Sequence, residues 1–234
     1  VVPVHFEQDS IAETLRGLRG AIDAQFRCLV VYDLEDDPTV EVVRAGAKEW
    51  PETEAVRNAY GRGVLGAIKT GLEAATGEYA VVTMADLSDD PQVINEMLRQ
   101  ADAGSDVVSA SRYMRGGSQE GGPPLKSLMS RVAGVSLHLL TRIPTHDPTN
   151  SFRLYRVSFL RETPIESTGG FELGLELTAK AYVAGRTVTE VPASWRDRTE
   201  GESKFQFRRW LPLYLRWYLY TVARAPLGFR RPRT

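Results

Sequence analysis

Three apolar runs in this sequence end on a polar side chain. CLVVYD stops at Asp33, YAVVTMAD at Asp86 and VVSASR at Arg112. A side chain that ends a buried strand faces solvent or a ligand, and three such ends in succession point to a site. Asp86 and Ser88 stand two residues apart just past their strand. That spacing turns two oxygens toward one ion, and hard divalent cations take such oxygens while keeping waters or phosphates as further ligands. The residues that follow, Asp89, Asp90 and Pro91, also read as the cap and first turn of the next helix.

These side chains need a scaffold, and the order of elements supplies one. VVPV reads as a strand and SIAETLRGLRGAID as a helix. RCLVVYD and TVEVVRA read as strands. GVLGAIKTGLEAAT is helical and stops at Gly77. EYAVVTMAD is a strand, PQVINEMLRQADAG a helix and DVVSASR a strand. PLKSLMSRVAGVSLHLLT is helical, SFRLYR is extended, FELGLELTAKAYVAG is helical and RTVTEVPASWRDR is a strand. Alternation of this kind builds a mostly parallel central sheet with helices on both faces. Ligands of such sheets bind beyond the carboxyl ends of the strands, which is where Asp33, Asp86 and Arg112 fall.

Composition removes several alternatives. The chain has 234 residues, 42% hydrophobic and 25% charged, enough to bury a full core in one domain. Its single cysteine, Cys28, excludes an internal disulfide and a cysteine-bound zinc site, and the three histidines are scattered. No apolar run reaches the ~18 residues of a membrane span. No signal peptide is visible, and the abrupt opening at VVPV suggests a trimmed start. GRGVLG contains three glycines but does not directly follow a strand, so it is a weak dinucleotide fingerprint, and no Walker sequence is present.

Several blocks together resemble family 2 glycosyltransferases of the GT-A fold, a Rossmann-like α/β architecture. Among these, dolichol-phosphate mannose synthases and bacterial polyprenyl-phosphate glycosyltransferases are the most similar. VVPVHFEQDSI keeps Pro3 and Glu7 of the family opening, with His5 and Phe6 in place of a Tyr-Asn pair. VVYDLEDDPT keeps Asp33 and carries Tyr32 at the first acidic place. NAYGRGVLGAIKTGLEAATGEY, SRYMRGG, DPTNSFRLYR and VPASWRDRTEGESK match later blocks, and D-R-x-x-G-x-S-K after a V-P strand is the most specific of them. Where the family writes D-x-D, this chain has Met84, Ala85 and Asp86, so one carboxylate of the metal motif is missing.

The resemblance implies roles. Pro3, Glu7 and Asp33 would line the nucleotide pocket. Asp86, assisted by Ser88, would hold Mg2+ or Mn2+ on the donor diphosphate. Arg112, Lys126 and Ser130 would grip an acceptor phosphate, and Arg198 and Lys204 would close a basic loop over the donor. The implied reaction is an inverting transfer from a nucleotide-diphosphate sugar, GDP-mannose or a UDP-hexose, to a polyprenyl phosphate. Fixed cations and a metal would stabilise the leaving diphosphate, and an ionised acceptor phosphate needs no strong base. A rival in the same class transfers to a polysaccharide, glycolipid or protein hydroxyl, with Asp89, Asp90 or Asp147 as base. A rival of another class is a catalytically weakened scaffold, for which Met84 and Tyr32 speak.

Charge divides the chain. Ser203 to Thr234 hold eight Lys/Arg and no acid, while all 30 acidic residues come earlier. Phe207, Trp210, Tyr214, Trp217 and Thr221 recur at helical spacing among arginines. We therefore expect a catalytic domain over 1–204 and, over 205–234, a C-terminal amphipathic helix lying on the cytoplasmic face of a membrane, with Trp210 and Trp217 at headgroup level. The alternative is an amphipathic helix packed on the domain or on a second subunit, since a homo-oligomer is open. Nucleic acid is the poorer partner, because no recognition motif accompanies the basic residues.

Overall fold

The structure, a computed structural model, describes residues 1–197 and 207–225. The first half alternates strand and helix: β1 (Val2–Val4), α1 (Ile11–Ala21), β2 (Cys28–Tyr32), α2 (Pro38–Ala45), β3 (Thr53–Arg57), α3 (Val64–Ala74), β4 (Tyr79–Val82), α4 (Val93–Asp102) and β5 (Val107–Ser111). The second half holds β6 (Ser118–Glu120), α5 (Pro124–Thr141), β7 (Arg153–Arg156), α6 (Val157–Glu162), α7 (Leu173–Val183), β8 (Val188–Pro192), β9 (Ser194–Arg196) and α8 (Phe207–Arg224).

β2 lies between β1 and β3, and all three are parallel. A second group runs β4-β7-β5-β8, in which β7 alone is reversed. Two bonds join the groups: the Val1 nitrogen donates to the Val81 carbonyl at 2.7 Å, and Thr83 N–H donates to the Val1 carbonyl at 3.1 Å. That pattern is parallel, so β1, β2, β3, β4, β5 and β8 share one direction and one carboxyl edge. Buried β2 and β5 read as unbroken apolar or small runs because both of their faces are covered.

Three expectations need correction. TVEVVRA is helix α2, not a strand. Asp37 accepts the Thr39 N–H at 2.9 Å as N-cap, and Pro38 takes the first turn, where its missing N–H costs nothing. Thr39, Val40 and Val43 then share the buried face. The strand belongs to Thr53–Arg57 instead, whose more polar sequence hides it. EYAVVTMAD is a strand only as far as Val82, with one further bond from Thr83 to Val1, so Asp86 sits on the loop beyond the ladder. RTVTEVPASWRDR divides at Ala193: β8 stays in the sheet, and β9 leaves to pair with β6.

α8 packs on α7 and α5. Trp217 is only 2% exposed and clusters with Leu137, Ile143 and Leu175; Thr221 is fully buried. Trp210 meets Phe171, with ring centroids 5.5 Å apart. The headgroup position expected for Trp217 is therefore wrong, because its indole is a core element between three helices. The helix is amphipathic as expected, with the opposite face exposed. Among the described residues, no helix is long and apolar enough to cross a membrane.

Candidate active site

The most organised cluster lies where β5 ends. Arg112 approaches Asp147 with Nε at 2.6 Å from Oδ2 and Nη2 at 2.9 Å from Oδ1, a bidentate pair, and its backbone N–H donates to the same carboxylate at 3.1 Å. Asp147 is fully buried and the Arg112 side chain nearly so. Burial opposes the guanidinium charge, but the adjacent Asp147 carboxylate outweighs it and holds Arg112 above the ordinary arginine value. Arg112 Nη2 also reaches Ser130 Oγ and Thr149 Oγ1, both at 3.3 Å, and Tyr113 OH donates to Ser130 Oγ at 3.0 Å. The guanidinium lies 4.9 Å from the Tyr113 ring and 6.0 Å from that of Trp195.

The local chain explains this order. Buried Arg153, on β7, donates to the carbonyls of Asp147 and Gly174 and to Thr178 Oγ1, so the loop before β7 is tied to α7. Gly134 lets α5 settle on that loop, since a Cβ there would collide with the His146 carbonyl. Ser130, one turn earlier on α5, is thereby set over Arg112. The structure brings Arg112 and Ser130 together as the sequence suggested. Lys126, one turn before Ser130, is exposed.

The second cluster follows β4. Ser88 donates twice to Asp86 Oδ1, from Oγ at 2.6 Å and from its N–H at 3.2 Å. Between them Leu87 adopts φ +60°, the left-handed region that a branched side chain enters at a cost of roughly 1–2 kcal/mol. Thr83 Oγ1 donates to Asp89 Oδ2 at 3.3 Å. Burial, then the neighbouring Asp86 charge, push the Asp89 carboxyl up to about 7. β9 is fastened to this loop: Arg196 N–H donates to the Ser88 carbonyl at 3.1 Å, and Trp195 bridges Asp89.

At the third strand end, Asp33 accepts Asn58 Nδ2 at 2.7 Å and the Gly63 N–H at 2.8 Å. Gly63 has φ +123°, which a side chain rarely adopts, so the turn into α3 depends on glycine there. Pro3 is buried within β1. Glu7 caps the start of α1 through its carbonyl, and its N–H donates to Thr39 Oγ1 at 2.8 Å. Buried Asp37 accepts the Phe6 N–H at 2.9 Å and joins this turn to α2. Arg198 and Lys204 lie outside the described residues.

Sequence reasoning missed Tyr113, Thr149, Arg153 and Asn58. Asn58 had a signal, because it is the polar end of β3 and repeats the pattern of Asp33. Asp147 entered as a possible base; the geometry makes it the counter-ion of Arg112.

The donor set suits a hard divalent ion. Among the described residues no three acidic, histidine or cysteine side chains gather as ligands. Asp86 and Asp89 are nonetheless close enough for one charge to raise the other's pKa, a repulsion that a cation would relieve. Mg2+ is commonly held by one or two carboxylates plus phosphate and water, and Asp86 with Asp89 or Ser88 meets that need.

The profile described as Glycosyl transferase family 2 matches residues 1–163. The chain is 26% identical over 228 residues to the dolichol-phosphate mannosyltransferase of Pyrococcus furiosus, covering 93% of this chain and 63% of that relative. It thus spans less than two thirds of that protein. Identity is 28% over 212 residues with the polyprenol monophosphomannose synthase of Mycolicibacterium smegmatis, covering 87% and 79%. Glucosyl-3-phosphoglycerate synthase from Mycobacterium tuberculosis, solved with Mn2+ and UDP, superposes with a TM-score of 0.66 at 13% identity, covering 98% of this chain and 80% of that one. Staphylococcus aureus TarS with UDP-GlcNAc gives 0.65 at 18%, covering 97% and 66%. At such identities these structures establish a shared fold, the GT-A α/β architecture.

Proposed function

The chain belongs to glycosyl transferase family 2, and from that premise we propose that it moves a sugar from a nucleotide-diphosphate donor to a polyprenyl phosphate at the cytoplasmic face of a membrane. The observation that carries this reading is the Arg112 cluster. A cation fixed by a buried carboxylate, with two hydroxyls in reach, recognises an anion, and both oxygens of that carboxylate are engaged by the guanidinium. An ionised phosphate acceptor asks for that arrangement. The names of the two sequence relatives, a dolichol-phosphate mannosyltransferase and a polyprenol monophosphomannose synthase, support the same acceptor class.

In this reading Asp86, held by Ser88, carries the divalent ion, which when bound neutralises the donor diphosphate as it leaves. Asp33, with Asn58, holds the turn into α3 beside the nucleotide. Arg112 orients the acceptor phosphate oxygen for in-line attack at the anomeric carbon, giving inversion. Arg198 and Lys204 add charge over the diphosphate.

One observation favours a second reading. Asp89, pushed up to about 7, is poised to take a proton from a hydroxyl acceptor. A cation at Asp86 cancels part of the repulsion that raises it, so the base is weakened in the loaded enzyme.

The test is nucleoside diphosphate release from a panel of nucleotide sugars, with and without a short polyprenyl phosphate. Release that requires the prenyl phosphate supports the reading. Release that requires a hydroxyl acceptor instead, and is lost in Asp89→Asn, transfers support to the second. No release with any donor leaves a scaffold.

A further inference from the structure

Twelve large hydrophobic side chains are exposed among the described residues, and nine of them sit on α5 and α8. On α5 they are Leu125, Leu128, Val132, Leu139 and Leu140; on α8 they are Leu211, Leu215, Leu219 and Val222. All nine are between 39% and 69% exposed. At 3.6 residues per turn each set falls on one face of its helix. The buried residues, Gly134, Leu137 and Thr141 on α5 and Trp217 and Thr221 on α8, fall on the other.

The two faces adjoin. Tyr218 OH donates to Ser136 Oγ at 2.9 Å; Ser136 lies within the α5 stripe and Tyr218 borders the α8 stripe. Together they form a ridge of leucines with no strand, loop or helix of the described chain laid over it.

Charge selects the occupant. Neither helix contains an acidic residue, whereas Lys126, Arg131, Arg216 and Arg224 lie along them and Arg142 follows α5. Arg131, Arg142, Arg216 and Arg224 are exposed. An apolar face on helices that carry cations and no acid matches the boundary between acyl chains and anionic headgroups. A second copy of this chain would bring cations against cations.

We propose that the exposed faces of α5 and α8 together form one surface that seats the protein on an anionic bilayer. The argument for what this achieves rests on the lipid-acceptor reading. Ser130 and Arg112 lie on the inner side of α5, so the acceptor cluster stands about one helix diameter, roughly 10 Å, from the bilayer plane. The leucines are the inserted groups; Trp217 is not, being core.

The test is flotation of the full chain with phosphatidylcholine vesicles, with and without phosphatidylglycerol. The parent is expected to float with the anionic vesicles. Leu128→Glu with Val132→Glu on α5, and Leu215→Glu with Leu219→Glu on α8, should each weaken flotation at least about ten-fold, since each change removes inserted apolar area and adds repelled charge. Their thermal melts should match the parent, because the sites are exposed. Leu128→Ser with Val132→Ser, which adds no charge, should also weaken flotation, to a smaller degree.

A parent that ignores both vesicle types overturns the proposal, as do Glu variants that float like the parent. So does light scattering that shows a parent dimer abolished by these substitutions without any vesicle binding. Transfer to a short water-soluble prenyl phosphate is measured alongside. A parent that floats but makes no product sinks the acceptor reading and leaves the surface standing. Variants that lose flotation and keep transfer confirm that the surface is separate from the chemistry.

Discussion

Removing either member of the Arg112–Asp147 pair should unsettle the fold more than removing both. Asp147 is fully buried and the Arg112 side chain is 12% exposed, so little water reaches the contact. Asp147→Ala leaves a buried guanidinium facing Ser130 and Thr149 without a counter-ion. Arg112→Ala leaves a buried carboxylate that has lost its two closest side-chain donors. Breaking a buried pair from one side costs about 3–5 kcal/mol. In a chain of this length that corresponds to a melting drop of roughly 6–20 °C, at about 2–4 °C per kcal/mol. The double variant carries no stranded charge, so its cost should fall at least ~2 kcal/mol short of the summed single costs, within the coupling range for contacting residues. The assay is equilibrium urea unfolding of the four proteins followed by circular dichroism. Single costs that add to the double within about 0.5 kcal/mol would show two independent side chains, and the view of Asp147 as the counter-ion that holds Arg112 would be refuted.

Asp86→Asn should lower turnover at least ~10²-fold, the range for losing one electrostatic stabiliser, with an unchanged melt; equal turnover at saturating Mg2+ or Mn2+ would remove Asp86 from the metal role. Trp217→Ala should destabilise by about 3–5 kcal/mol, whereas Leu215→Ala on the exposed face should stay within about 0.5 kcal/mol; the reverse order would mean that α8 presents its other side. Arg198→Ala should weaken nucleotide-sugar binding by roughly 1.5–3 kcal/mol, as for a lost charge-assisted bond, while Arg112→Ala, in whatever fraction folds, should weaken acceptor use instead; matching losses of nucleotide affinity in titration calorimetry would place Arg112 on the donor side. Met84→Asp should tighten Mn2+ binding by about ten-fold or more, since added ligand charge raises affinity; unchanged binding would show that position 84 does not face the ion.

The sheet was legible wherever burial on both faces left an unbroken apolar run, as in CLVVY and the segment ending at Arg112. It was illegible at TEAVR, whose strand lies at the sheet edge and exposes Glu54 on one face and Arg57 on the other. TVEVVRA misled because its β-branched residues suit a strand by propensity, while Asp37 and Pro38 start a helix by capping. The polar strand ends could be read one residue at a time, but their partners could not. Asp147 lies 35 residues from Arg112, and nothing in the local sequence shows that Arg153 ties its loop to α7. The tail's periodicity gave the helix correctly. It could not say which face turned inward, because aromatic and leucine faces are both apolar and only the positions of α5 and α7 decide between them.

The absent carboxylate at Met84 bears on this geometry. Asp86 is presented by a loop that is held at several points other than the position-84 side chain. Thr14 Oγ1 holds the Ala85 carbonyl at 3.1 Å, Ser88 holds Oδ1, and β9 holds the Ser88 carbonyl. The left-handed Leu87 is kept in place by these contacts on both sides. The departure from D-x-D therefore removes one charge without removing the scaffold that aims the other. β9, which grips this loop through Ser88 and Asp89, also carries Trp195 beside the Arg112 guanidinium. The one short strand thus joins the Asp86 loop to the Arg112 cluster.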